Sequence, residues 1–278
     1  MKILNVQEHY NQDNLYFKIL DAMSKSGYDS NNLSREIFSE MDEFHVMGSL
    51  STKLQAESIG LKNGMKVLDL GCGIGGASRF IAETYNCEVT GIDITAEYVD
   101  TAQLISNGLG IKNVTFEQAD ATDLPFDDNT FDVVWAQHVQ MNIEDKSTLL
   151  KEINRVLKPN GKFAYFDVLS TQNEELYYPL PWAEDKTISH TCSSIEFEKI
   201  SKIAGLKRGL KMNLSEESRN WFKKFFKNVR DHGGVPLVSP SLLMGDNTPI
   251  KLKNLFANLV EEKCYIEMGI FIKTENYD

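Results

Sequence analysis

The stretch "KVLDLGCGIGGAS", Lys66 to Ser78, decides the fold. Its first five residues read as a buried strand, which breaks into a glycine turn and then a helical pattern. Two spacings are superimposed on that turn. Gly71, Gly73 and Gly76 fit G-x-G-x-x-G, the turn that brings a helix N-terminus to a pyrophosphate. Asp69, Gly71, Gly73 and Gly75 fit D-x-G-x-G-x-G, with an acid two residues ahead of the first glycine. The spacing alone leaves both ligands open.

Downstream of this turn, short apolar runs alternate with helical patterns. "GASRFIAETY" is a helix, "CEVTGIDI" a strand, "AEYVDTAQLISNGLG" a helix, "NVTFEQAD" a strand and "FDVVWAQ" another. "DKSTLLKEINRVLK" predicts a helix stopped by Pro159 and Gly161, and "GKFAYFDVL" a fifth strand. Such alternation means right-handed βαβ units and a parallel sheet. Upstream, Tyr10, Leu15, Tyr16, Ile19, Leu20 and Met23 recur at helical spacing until "SGYDSNN". Further helices start near Ser34, a candidate N-cap, and after "DEFHVMG". The last hundred residues predict a helix over "SSIEFEKISKIAG", a strand "LKRGLKMNL", a helix from Ser215 to about Arg230, a helix "PIKLKNLFANLVEEK" and a strand "CYIEMGIFIKT". The aperiodic, aromatic-rich "TQNEELYYPLPWAEDKTISHT" reads as a long loop or lid. The expected organisation is a helical cap over 1–60, an α/β core over 61–170, and over 171–278 a lid, helical additions and strands completing the same sheet.

Composition narrows the function. The 278 residues carry a net charge of −11, which argues against an extended nucleic-acid contact. Lys223, Lys224, Lys227 and Arg230 interleave with Phe222, Phe225 and Phe226 at helical spacing, the pattern of an amphipathic helix with a solvated face. Cys72, Cys87, Cys192 and Cys264 show neither a C-x-x-C pair nor metal-ligand spacing, so free thiols and no metal are expected. No run reaches the roughly 18 apolar residues of a membrane span, and no signal-peptide pattern opens the chain. A cytoplasmic protein, monomeric or homodimeric, is the expectation.

Three features separate the two readings of the turn. Asp69 would repel a pyrophosphate but suits an ammonium group. In "FEQADATDLPF", Asp120 can accept from an exocyclic adenine amine while the Ala121 amide reaches a ring nitrogen. "WAQHVQMNI" sets a polar and aromatic cluster where a substrate would meet the ligand's reactive end. Asp93, ending the second strand, suits ribose hydroxyls under either reading.

The motifs "VLDLGCGIGG", "VTGIDIT", "ADATDLPFDDNTFDVVWAQHV" and "LKEINRVLKPNGKFAYFDV", in this order, resemble the class I S-adenosylmethionine-dependent methyltransferases. The likeness is dense from Gly64 to about Val168. It implies a Rossmann-like, doubly wound seven-stranded sheet whose final antiparallel strand is "CYIEMGIFIKT". It further implies that Asp69 and the backbone of Gly71, Cys72, Gly73 and Gly75 face the methionine part of S-adenosylmethionine. Asp93 and Ile94 would hold the ribose side, Asp120 and Ala121 the adenine, and Gln137 the carboxy-propyl region. "DEFHVMGSLST", "WAQHVQMNI", "YYPLPWAED" and "LLMGDNTPIKLKNLFANLVEEK" resemble the sarcosine/dimethylglycine branch, implying a small-molecule acceptor, with an amine nitrogen favoured over oxygen or carbon.

Methyl transfer from a sulfonium is an in-line displacement, so alignment carries most of the catalysis. His138, after the fourth strand, is the candidate base. His45, Tyr16, Gln140, Asn142, Tyr177, Tyr178 and Trp182 are the candidate acceptor-binding residues, the last three as an aromatic wall for a methylated ammonium. Trp135 is expected in the sheet core, and His9, His190 and His232 at the surface or in local structure. The alternative function is an O- or C-methyltransferase of natural-product or quinone-type small molecules; more remote are an NAD-dependent oxidoreductase using the same turn and a non-catalytic cofactor-binding protein.

Overall fold

A computed structural model of the chain describes residues 15–28, 33–171 and 175–274. Seven strands form one sheet: β1 (Lys66–Leu70), β2 (Glu88–Asp93), β3 (Val114–Gln118), β4 (Phe131–Gln137), β5 (Leu157–Ser170), β6 (Leu206–Asn213) and β7 (Cys264–Lys273). The spatial order is β3-β2-β1-β4-β5-β7-β6. β1 pairs parallel with both β2 and β4, so the order reverses at β1, and the crevice beyond its carboxyl end is where a ligand belongs. β7 runs antiparallel between β5 and β6, from Lys162 opposite Ile272 to Ser170 opposite Cys264. The final antiparallel strand is as the sequence predicts.

The helices are α1 (Leu15–Lys25), α2 (Arg35–Asp42), α3 (Ser49–Ile59), α4 (Gly76–Tyr85), α5 (Ala96–Gly108), α6 (Lys146–Val156), α7 (Ser194–Ile203), α8 (Ser215–Asp231), a single turn α9 (Ser241–Met244) and α10 (Thr248–Val260). Successive strand residues face opposite sides, and both sides are covered. Leu68, Leu70, Val134 and Ala136 pack against Leu149, Leu150 and Ile153 of α6 and Phe197 of α7. Val67, Val133 and Trp135 pack against Ile59 of α3 and Phe80 and Ile81 of α4. Trp135 lies in the sheet core as expected, fully buried, its Nε1 donating to Gln137 Oε1 at 3.1 Å.

Local signals hold with three adjustments. Asp145 caps α6, accepting from the Thr148 amide at 2.9 Å, but α6 ends at Val156, before Pro159. Leu157 already pairs with Phe131; Pro159 and Asn160, at φ 62°, lie in an irregularity after which Lys162 meets Val133. Ser34 occupies the N-cap of α2 in extended backbone, but its side chain makes no cap hydrogen bond. The early helix begins, among the described residues, at Leu15; Tyr10, His9 and residues 29–32 lie outside them. On α8 Lys223, Lys224, Lys227 and Arg230 are exposed and Phe222 is buried, as an amphipathic helix requires.

From Glu175 onward the lid segment is irregular but anchored. The Tyr177 amide donates to Asn258 Oδ1 at 2.9 Å, Asn258 Nδ2 donates back to the Tyr177 carbonyl at 3.1 Å, and Asn254 Nδ2 donates to the Pro179 carbonyl at 3.0 Å. Two asparagines one turn apart on α10 thus hold Tyr177 to Pro179, and the residues that follow reach the crevice. Among the described residues no helix is long and apolar enough to cross a membrane, and the four cysteines are unbridged and buried.

Candidate active site

A cavity of about 520 Å³ opens at the switch point, floored by the turn after β1. Gly71 and Gly73 have φ of 63° and 55°, a left-handed backbone that side chains resist. A Cβ at Gly71 would stand 2.8 Å from Val139 Cγ2, and one at Gly73 would stand 3.0 Å from the Phe44 ring. The turn is tied to β2: the Cys72 amide donates to the Ile92 carbonyl at 2.9 Å and the Gly73 amide to Asp93 Oδ2 at 3.0 Å. The Thr95 amide takes the other Asp93 oxygen at 2.9 Å. Asp93 therefore positions two main-chain segments as well as facing the cavity.

The electrostatics of this cavity are acidic. Asp69, 2% exposed, accepts from Ser78 Oγ at 2.5 Å, and burial pushes its carboxyl up to about 7, with Asp93 and Glu43 adding to the rise. Asp42 and Asp120 also line the wall. Asp42 binds Arg79 at 2.5 Å through Oδ2, and its buried Oδ1 has no partner. Asp120 Oδ1 takes the Thr122 amide and hydroxyl at 2.8 and 2.7 Å. Lys251, the one described lysine or arginine lining the cavity, is paired with Glu184 at 2.7 Å. A wall of carboxylates, one raised by uncompensated burial and one holding an orphaned oxygen, fits a cationic ligand and disfavours a diphosphate.

Beyond β4 the chain turns sharply. His138 has φ 56°; its amide donates to the Phe166 carbonyl at 2.8 Å and its ring stacks on Phe166, with centroids 5.5 Å apart. The following turn hangs from buried Asp167, whose Oδ2 accepts from the Val139 and Gln140 amides at 3.4 and 3.2 Å. Burial raises the Asp167 carboxyl to about 7. Lys146 Nζ donates to the Gln140 and Ile143 carbonyls at 3.0 and 2.7 Å, holding the turn from its other side.

His45 meets His138 edge-on, centroids 6.1 Å apart. Its Nδ1 lies 3.0 Å from Ser51 Oγ, and its Nε2 lies 3.3 Å from Thr52 Oγ1 and 3.7 Å from Glu43 Oε2. Thr52 Oγ1 donates to Glu43 at 2.5 Å, and Gln137 Nε2 donates to Thr52 Oγ1 at 3.3 Å. Burial lowers His45 to about 4 and His138 well below 6.5, so both rings are neutral at pH 7, and the His45–Glu43 contact is not an ion pair there. Burial raises Glu43 to about 7. His138 Nε2 is a buried nitrogen with no hydrogen-bond partner.

A second cavity, about 540 Å³, lies behind this pair. Phe44, His45, His138, Pro181 and Met244 line both cavities. The second is otherwise enclosed largely by residues 43–50, by α8 through Trp221, Phe222 and Phe225, and by Leu252 and Leu255 of α10.

Of the residues singled out in the sequence, His45, Asp69, Gly71, Cys72, Gly73, Asp93, Ile94, Asp120, Ala121, Gln137, His138, Asn142 and Trp182 line the first cavity. Gly75 does not; a Cβ there would strike Phe116 at 2.6 Å, beneath the turn. Gln140 points inward, its Nε2 donating to the Val168 carbonyl at 2.9 Å. Tyr177 lies outside with its hydroxyl on Glu261 at 2.7 Å and Lys263 over its ring at 3.9 Å. Tyr178 packs into the apolar cluster beneath the lid, and the Tyr16 hydroxyl faces Gly108 at the end of α5. Of the expected aromatic wall only Trp182 reaches the cavity. Asp42, Phe44, Tyr98 and Leu243 line it unanticipated. The signal for the first two was "MDEFH", acid and aromatic residues clustered between two helices.

A family model described as a methyltransferase domain matches residues 61–233. Phosphoethanolamine N-methyltransferase 3 of Arabidopsis thaliana is 39% identical over 121 residues, 43% of this chain and 24% of that relative, so the match spans about a quarter of the curated protein. Two solved structures share the fold. A Galdieria sulphuraria protein assigned as a sarcosine dimethylglycine methyltransferase has a TM-score of 0.67 at 21% identity, covering 82% of this chain and 85% of that one. Haemonchus contortus phosphoethanolamine N-methyltransferase 2, in complex with S-adenosyl-L-methionine, has a TM-score of 0.72 at 19% identity, covering 92% and 60%. With the matched domain spanning most of the chain and the sheet order described above, the chain belongs to the class I S-adenosylmethionine-dependent methyltransferases.

Proposed function

We propose that this protein transfers a methyl group to an amine nitrogen of a small molecule, the donor held in the first cavity and the acceptor reaching it from the second. The observation that carries this reading is the shared wall: neutral His45 and His138 stand between an acidic cavity and an apolar one. In this reading Asp69 and the turn Gly71–Gly73 hold the methionine end of the donor. Asp93 takes the ribose hydroxyls, and Asp120 with the Ala121 amide takes the adenine edge beside Ile94. Gln137, fixed by Trp135 and Thr52, borders the methionine chain.

S-adenosylmethionine, when bound, supplies an electrophilic methyl carbon whose sulfur leaves with the bonding electrons. The chain's own residues do the rest. The shared wall aligns the acceptor nitrogen, and orientation of this sort is worth on the order of 7–11 kcal/mol. The acceptor reacts as the uncharged amine, whose lone pair forms the new bond. The proton displaced from nitrogen is taken up by His138 Nε2, whose hydrogen-bonding capacity is unused. Asp167 and Phe166 act as positioning residues, holding the turn and the ring.

The test is calorimetric titration with S-adenosylhomocysteine and with NADH, followed by transfer of labelled methyl into a library of small amines. Binding of the first ligand alone and a product heavier by one methylene group support the reading. Binding of NADH alone, or an enzyme that labels no amine but labels oxygen or carbon acceptors, defeats it.

A further inference from the structure

The second cavity restricts which amine can enter. Its described wall carries no lysine or arginine; apart from histidines, the one ionisable residue lining it is Glu43, an acid. An acceptor bearing a carboxylate or phosphate would bury that anion beside Glu43 with no cationic partner, an arrangement that buried charges avoid. An apolar tail finds the opposite. Trp221 and Phe225 stack with centroids 5.4 Å apart, Trp221 meets Phe222 edge-on at 5.0 Å, and Leu252 and Leu255 face them from α10. At about 540 Å³, the space is in the range of pockets that take a drug-sized ligand.

Resting on the function proposed above, we infer that the acceptor is a lipophilic amine without an acidic group. Its nitrogen lies at the His45–His138 wall and its hydrocarbon or aromatic tail runs between α8 and α10. The same cavity accounts for aromatic residues on α8 that a purely structural helix would have buried: Phe222 is fully buried, but Trp221 and Phe225 are only partly covered and look into this space. Leu50, 57% exposed, lies at its edge and extends the apolar surface outward.

Quenching of tryptophan fluorescence in the full chain, with S-adenosylhomocysteine present and absent, tests this with butylamine, hexylamine and octylamine against sarcosine and phosphoethanolamine. Each methylene buried should tighten binding about fourfold, so octylamine should exceed butylamine by more than a hundredfold. Sarcosine and phosphoethanolamine should bind at least tenfold more weakly than hexylamine. Phe225→Lys, which sets a cation in the wall at a partly exposed position, should flatten the chain-length series while S-adenosylhomocysteine affinity stays unchanged. Leu255→Ala serves as a second variant should the first misfold, with a smaller loss in the same direction. No chain-length dependence, or sarcosine or phosphoethanolamine binding as tightly as hexylamine, overturns the inference. Failure of S-adenosylhomocysteine to bind overturns the methyl-transfer reading instead, while the alkylamine series still decides what the second cavity takes.

Discussion

Asp69→Asn isolates one buried carboxylate of the first cavity. Asp69 is buried with one hydroxyl donor, and burial lifts its carboxyl from an ordinary 3.8 to about 7. The folded protein therefore keeps this proton longer than the unfolded chain does. Unfolding releases it between those two values, and stability falls as pH rises through that window. A rise of about 3 units is worth about 4 kcal/mol, lost at about 1.4 kcal/mol per pH unit. Glu43 and Asp167, also raised to about 7 by burial, act in the same direction, so the wild-type slope exceeds that of one proton. Asp69→Asn removes one proton's share. Urea unfolding of the ligand-free protein from pH 5 to pH 8 reads this directly: the variant should lose less stability across the range. Binding supplies the second reading. A cation beside Asp69 is held by the ionised form, so S-adenosylmethionine affinity should weaken up to tenfold per unit as pH falls below 7. In Asp69→Asn that share of the dependence vanishes, and affinity at pH 8 drops. If wild type and variant show the same pH slopes in both measurements, Asp69 is not the anion that receives the donor.

Asp93→Ala should weaken S-adenosylhomocysteine binding by about 1–3 kcal/mol in calorimetry, since it removes a facing carboxylate and the acceptor of the Gly73 and Thr95 amides together. His138→Ala should lower turnover by about 10²–10⁴ with donor affinity nearly retained, measured by single-turnover transfer beside calorimetry. A rate that survives makes His138 a lining residue only. Gly71→Ala should cost at least about 1–2 kcal/mol in chemical unfolding, from its left-handed backbone and a Cβ 2.8 Å from Val139.

The first cavity was legible because its parts are local. A strand, a glycine turn and an acid at the next strand end fix their own geometry, so Asp69, Gly71, Gly73, Asp93 and Asp120 fall where short-range rules put them. The misplaced residues fail for the opposite reason. Gln140 and Tyr177 have polar groups that either solvent-facing or protein partners can satisfy; Val168 and Glu261, remote in sequence, claimed them. Tyr178 is aromatic enough for a wall or a core, and the cluster beneath the lid took it. The end of α6 shifted because Leu157 gained a partner in β4, a pairing that no property of "RVLKPNG" announces. The second cavity was illegible as a cavity: Phe222 and Phe225 satisfy the helical period whether they meet a neighbour or enclose space, and only the position of α10 distinguishes the two.

The reciprocal amide clasp of Asn258 on Tyr177, with Asn254 on Pro179, bears on traffic. Pro181 and Trp182 border the first cavity a few residues beyond the clasp, while Met244 and Lys251 border it from the start of the clasping helix and the turn before it. A strap fastened in this way does not flap independently. Displacing one of them means breaking these three hydrogen bonds or carrying the other along.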